Sequence, residues 1–138
     1  MSDASRGPAE VGPLPGFDGI VGTVIDELTP DRVVAHVDLG PTHHQPYGIV
    51  HGGVYCTLVE VVGSIAGSLN APEGKVVVGV NNNTHFLASM SEGRVVATGT
   101  PISRGRTQQL WNVDIVREDD GRLVATGQLR LQAIDPRS

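Results

Sequence analysis

The 138-residue sequence predicts an α+β domain, with one long central helix against a curved antiparallel sheet of about six strands. Three observations carry that expectation. Only the stretch GGVYCTLVEVVGSIAGSLN, from Gly52 to Asn70, reads as a long helix. The runs on either side of it alternate apolar with polar residues, as half-buried strands do. Short turns rich in glycine and proline join those runs, which favours antiparallel neighbours.

Taken in order, residues 1–16 (MSDASRGPAEVGPLPG) hold little to bury and are expected to form a flexible N-terminal tail. Residues 17–138 then make a single domain. Phe17 to Leu28 carries apolar points at Ile20, Val21, Val24 and Ile25 and reads as the first strand. Thr29-Pro30-Asp31 is a turn, and Arg32 to Leu39 is the second strand. A loop from Gly40 to Gly48 carries His43, His44 and Gln45 and leads into the helix. The helix is apolar on most of its circumference, which marks it as buried, and Ala71-Pro72-Glu73-Gly74 stops it. Its small residues Gly63, Ala66 and Gly67 would let strands approach closely. Four strands follow: Lys75 to Ala88, Gly93 to Ser103, Thr107 to Glu118 and Leu123 to Ile134. Asp119-Asp120-Gly121 is the hairpin turn before the last of them. The Asn81-Asn82-Asn83 run fits either a bulge or a role in ordering a site loop.

The net charge of -5 offers no basic face for nucleic acid. One cysteine, Cys56, excludes an intrachain disulfide and reads as a small buried hydrophobe in a reducing cytoplasm. No uninterrupted 18-residue apolar run and no basic-then-apolar start is present, so neither a membrane span nor a secretory signal is expected. His43, His44 and His51 lack a clustered acid or cysteine, so no metal site is expected.

The element order, with GIVHGG opening the only long helix, resembles the hotdog fold. More narrowly, Gln45, His51-Gly52-Gly53, Glu60 and Ser64 within EVVGSIAG resemble acyl-CoA thioesterases. The branch in question holds 4-hydroxybenzoyl-CoA thioesterase of the Arthrobacter type and 1,4-dihydroxy-2-naphthoyl-CoA hydrolase. The resemblance continues through VGVNNNTHF and SRGRTQQLWNVDI and covers roughly residues 18–134. It implies Glu60 as the catalytic carboxylate, nucleophile or general base. It implies the Gly52 amide as the group that polarises the thioester carbonyl. It further implies Gln45 and His51 as accessory residues orienting the carbonyl and the glycine loop, and Ser64 as a residue that positions water or the acid.

The residues themselves suit that chemistry. A thioester carbonyl needs stabilisation of oxyanion charge and a base or nucleophile at its carbon. Amides at a helix start are free donors with the helix dipole behind them, and Gly52 and Gly53 present no Cβ to block a carbonyl. Gly52 and Glu60 are eight residues apart in one helix, about 12 Å along its axis, so a single carbonyl cannot touch both. The site is therefore expected to combine two subunits, giving a homodimer at the least, with a homotetramer the larger expectation. For the phosphates of coenzyme A, Arg104 and Arg106 flank Gly105 ahead of Thr107, with Ser89 a further candidate.

The expected function is hydrolysis of an aromatic or medium-chain acyl-CoA, with no cofactor because water is the second substrate. The alternative is a non-catalytic acyl-CoA or acyl-carrier binder on the same fold. A dehydratase or hydratase would want a catalytic histidine with a differently placed acid, a pattern this sequence lacks.

Overall fold

A computed structural model describes residues 10–137. Strand β1 (Gly12–Pro13) and the short helix α1 (Gly16–Val21) precede β2 (Val24–Thr29) and β3 (Arg32–Leu39). A single 3-10 turn, Pro41–His43, leads to the long helix α2 (Gly52–Leu69). Four strands complete the chain: β4 (Val76–Phe86), β5 (Gly93–Arg104), β6 (Gln108–Arg117) and β7 (Leu123–Ile134). All seven strands form one antiparallel sheet in the order β1-β2-β3-β5-β6-β7-β4. This is the expected hotdog arrangement, with seven strands in place of about six.

The difference lies at the N-terminal end. Gly12 and Pro13 pair with Ile25 and Val24, so part of the stretch read as a tail is a sheet edge. The expected tail also includes residues 1–9, which lie outside the described residues. Phe17 to Val21, read as strand, is helical and closes on Gly22 in the left-handed conformation. Six residues are too few to show helical periodicity, and the turn is held from outside. The His43 ring accepts at Nδ1 from the Gly40 N–H (3.1 Å). Its Nε2 therefore carries the proton and donates to the Val21 carbonyl (2.7 Å).

Helix α2 is about 27 Å long and packs across the concave face of the sheet. Its mean hydropathy of 1.4 over 18 residues would suffice for a membrane span by length and composition. A rule counting only uninterrupted apolar runs misses that. Here the apolar surface goes to the sheet, and Leu58, Val59, Val61, Val62 and Ala66 are buried against it. Close packing depends on small residues, as the sequence suggests. A Cβ on Gly63 would come within 2.7 Å of Leu129, and one on Gly67 within 2.9 Å of Leu131. Below the helix, Trp111 is fully buried, and its indole N–H donates to Gln109 Oε1 (2.8 Å). Gln109 in turn donates to the carbonyls of Gly67 (3.1 Å) and Asn70 (3.3 Å), tying the sheet to the end of α2.

The two edges of the sheet differ. The β1 edge is two residues long, whereas β4 has 11 residues and pairs only with β7. Val76, Val78, Val80 and Phe86 of that second edge are exposed.

Candidate active site

Three cavities border α2, and the expected site residues are spread among them rather than gathered in one. The first, of about 390 Å³, is bordered by Gln45, Gly52, Tyr55, Phe86 and Ser89. The backbone reversal from Gln45 to Gly48 needs a left-handed residue, and Gly48 (φ 79°) supplies it. Gln45 Oε1 accepts from the Tyr47 N–H, which leaves its amide N–H groups as donors.

His51 caps α2. Its ring Nδ1 accepts from the Gly53 N–H (2.8 Å), and its backbone N–H donates to the His43 carbonyl (2.8 Å). The cap divides the two glycines. Gly53, expected as a free donor for substrate, has its N–H occupied by His51 and borders a separate cavity of about 650 Å³ with Phe17, Ile20 and Val54. The Gly52 N–H has no acceptor among the described residues. An unpaired amide at a helix N-terminus with a donor side chain in the same cavity suits a developing oxyanion.

Glu60 is exposed in the single chain and borders a second cavity, of about 300 Å³, with Phe17, Asp18, Cys56, Thr57 and Asn82. Its carboxylate rests on Gly79 of β4, where any Cβ would overlap it. The strand is irregular between Gly79 and Asn81. This brings Asn82 Nδ2 to Glu60 Oε1 (3.2 Å) and to the Cys56 carbonyl (2.9 Å). The irregularity falls at Val80, just before the asparagine run; the run itself pairs in register with β7, and its Asn82 orients the acid. Cys56, read as a small buried hydrophobe, is only partly buried and borders this cavity.

Asp18 was not among the sequence candidates, and Asn82 was marked only within the Asn81–Asn83 run, as a bulge or an aid to ordering a site loop. Both come from elements distant in sequence from Glu60, and only the packing of α1 and β4 against α2 brings them there. Asp18 is a second carboxylate facing the same space. Burial pushes its pKa above the usual aspartate value of 3.8, and the Glu60 charge adds to the rise. The folded state then binds this proton more tightly than the unfolded chain does. Its contribution to stability is complete below the unfolded pKa and is lost as pH rises through the higher folded one. Asp18→Asn is therefore expected to raise Tm over wild type at about pH 7 and to show no advantage near pH 3. Thermal unfolding at both values checks this.

The remaining candidates fall elsewhere. Ser64 is half-buried one turn beyond Glu60 and borders none of these cavities, although its carbonyl accepts from Ser68. Arg104 is engaged by the β2–β3 turn, donating to Asp31 (2.6 Å) and to the Pro30 carbonyl (3.2 Å). That removes it as a free phosphate ligand in this arrangement. Arg106 is exposed and forms no ion pair among the described residues. The Thr107 carbonyl accepts from Ala133 and Gln132, within the β6–β7 pairing. His44 Nε2 lies 2.6 Å from the Ser91 carbonyl, so this ring too serves the loop scaffold.

Residues 47–124 match the family model described as the thioesterase superfamily. The chain belongs to the thioesterase superfamily. It is 45% identical to the protein named "putative esterase Rv1847" of Mycobacterium tuberculosis, over 99% of both chains. A solved structure of that protein superposes with a TM-score of 0.83, over 88% of this chain and 98% of that one. The chain is 32% identical to the proofreading thioesterase EntH of Cronobacter sakazakii, over 79% of each. The solved structure of thioesterase HI1161 from Haemophilus influenzae is 38% identical, with a TM-score of 0.77 over 83% of this chain and 80% of that one. The protein is thus a thioester hydrolase.

Proposed function

We propose that this thioesterase hydrolyses an aromatic or medium-chain acyl-CoA at two equivalent sites, each built from two subunits. Within the superfamily the reading places it with the 4-hydroxybenzoyl-CoA and 1,4-dihydroxy-2-naphthoyl-CoA hydrolases. The observation that carries it is the division of the site. In one chain the free Gly52 amide and the Glu60 carboxylate border different cavities. A thioester held by the amide of one subunit meets the acid of the other.

The long exposed edge of β4 supports this assembly, since an apolar unpaired edge is a template for another strand. Antiparallel pairing of two β4 strands about Asn83 sets Phe86, beside Gly52, opposite Val80, beside the Gly79 seat of Glu60. Gly52 and Gln45 donate to the carbonyl oxygen. Glu60, oriented by Asn82, either removes a proton from water or attacks the carbonyl carbon itself. In the first route water adds to the carbonyl carbon and the C–S bond breaks; in the second the C–S bond breaks to leave a mixed anhydride on Glu60, which water then cleaves, and both release a carboxylic acid and the thiol of CoA.

Subunit mixing tests the shared site. Glu60→Ala and Gly52→Pro homodimers are each expected to be inactive; proline suits the first helical position and removes the N–H, provided the exposed Phe86 ring shifts to make room for its side chain. A heterodimer of the two contains one site with both groups intact. Mixing by co-refolding should restore thiol release to a sizeable fraction of wild type. Recovery of no activity, with heterodimers demonstrated by mass, would place each site within one chain.

A thiol-release assay over benzoyl, hydroxybenzoyl, phenylacetyl, dihydroxynaphthoyl and straight-chain CoA esters identifies the acyl group.

A further inference from the structure

We infer that the Tyr55 hydroxyl selects the acyl group, by hydrogen bonding to an oxygen carried on that group away from the thioester carbon. The inference rests on the acyl-CoA reading above and refines it.

Tyr55 is 3% exposed, and its hydroxyl has no hydrogen-bond partner among the described residues. Buried hydroxyls nearly always have one, and an orphan costs free energy until a ligand or water supplies it. The only other buried orphan among the described residues, the Thr23 hydroxyl, borders none of the three cavities described above. Tyr55 borders the cavity of Gly52 and Gln45, whose other walls include Ile49, Val50 and Leu87. It follows Gly52 by three residues, which places both on one face of α2. An acyl group whose carbonyl is held at Gly52 therefore extends along a mostly apolar wall towards a phenol.

Nearby groups do not satisfy that phenol. The charge of Arg117 reaches Tyr55, but its guanidinium is bound to both carboxylate oxygens of Asp120, at 3.1 and 2.5 Å. Burial raises the Tyr55 pKa above the ordinary phenol value, so the hydroxyl stays neutral and able to donate. The Phe86 ring forms one wall of this cavity, 56% exposed on the edge strand, over Gly52, with its centroid 6.1 Å from that of Tyr55.

Tyr55→Phe removes one oxygen and leaves the ring packing. Wild type and variant are compared on benzoyl-CoA against its ring-hydroxylated isomers, and on octanoyl-CoA against hydroxyoctanoyl-CoA. Wild type should favour the oxygen-bearing ester of at least one pair by roughly tenfold or more in kcat/KM. The variant should lose that preference through the oxygen-bearing ester alone, with the plain ester within about twofold of wild type, and its ligand-free Tm should be unchanged or higher. An equal effect on both members of every pair, or on neither, overturns the role of Tyr55 and leaves the acyl-CoA reading standing. If wild type turns over none of these esters, the acyl-CoA reading fails instead. The free acids are then titrated by calorimetry, where equal affinity for wild type and variant overturns the role of Tyr55 independently.

Discussion

Glu60→Gln is expected to lower the rate of thiol release by roughly 10²–10⁴-fold, the usual contribution of a positioned base. Glutamine keeps the length and planarity of the side chain. Its carbonyl oxygen can still accept from Asn82, and it still rests on Gly79. What it lacks is a lone pair basic enough to take a proton and a charge able to attack carbon. Binding of a non-hydrolysable acyl-CoA thioether should therefore change little while turnover falls. Steady-state kinetics and calorimetry on the same preparation check both halves. Equal turnover in wild type and variant would remove Glu60 from the chemistry.

The second large effect concerns stability. Trp111→Ala is expected to destabilise the fold by about 3–5 kcal/mol, the range for truncating a buried aromatic. That is a large share of the roughly 5–15 kcal/mol typical of a domain. Two losses combine. The indole fills the space beneath α2, and a cavity there forfeits its packing. Its N–H also satisfies Gln109, which is 2% exposed and holds the last turn of α2 through two carbonyls. Urea unfolding should show the midpoint falling sharply. Trp111→Phe restores part of the volume but not the donor, so it should fall between the two. An alanine variant within about 0.5 kcal/mol of wild type, the scale of ordinary surface substitutions, would mean the helix is anchored elsewhere.

Much of this architecture was legible before any coordinates. The span of α2 agrees with the sequence reading to within a residue at its end, and β3 and β7 match residue for residue. These elements have long apolar patterns and clear glycine or proline stops, signals that need only neighbours in the chain. The short elements were not legible. Helix α1 has six residues and no side-chain cap, and His43, 22 positions beyond Val21, helps hold its last turn. The role of the two glycines after His51 was half legible. Both lack a Cβ, but which amide stays free was decided by the ring of His51. Arg104 read as a phosphate ligand because its charge is visible in sequence and its partner, Asp31 at the β2–β3 turn, is not.

The chain's own order of residues determined that one mostly apolar helix bears a single acid and opens on a His-Gly-Gly turn, because periodicity and capping are local properties. Tertiary packing alone decided which groups surround that acid. Asp18 arrives on α1 and Asn82 on the edge strand, Gly79 leaves room for the carboxylate, and the Gly52 amide opens into a different cavity. The reason is that hydrogen bonds, desolvation and charge depend on distance in space, and the fold sets those distances between residues far apart along the chain.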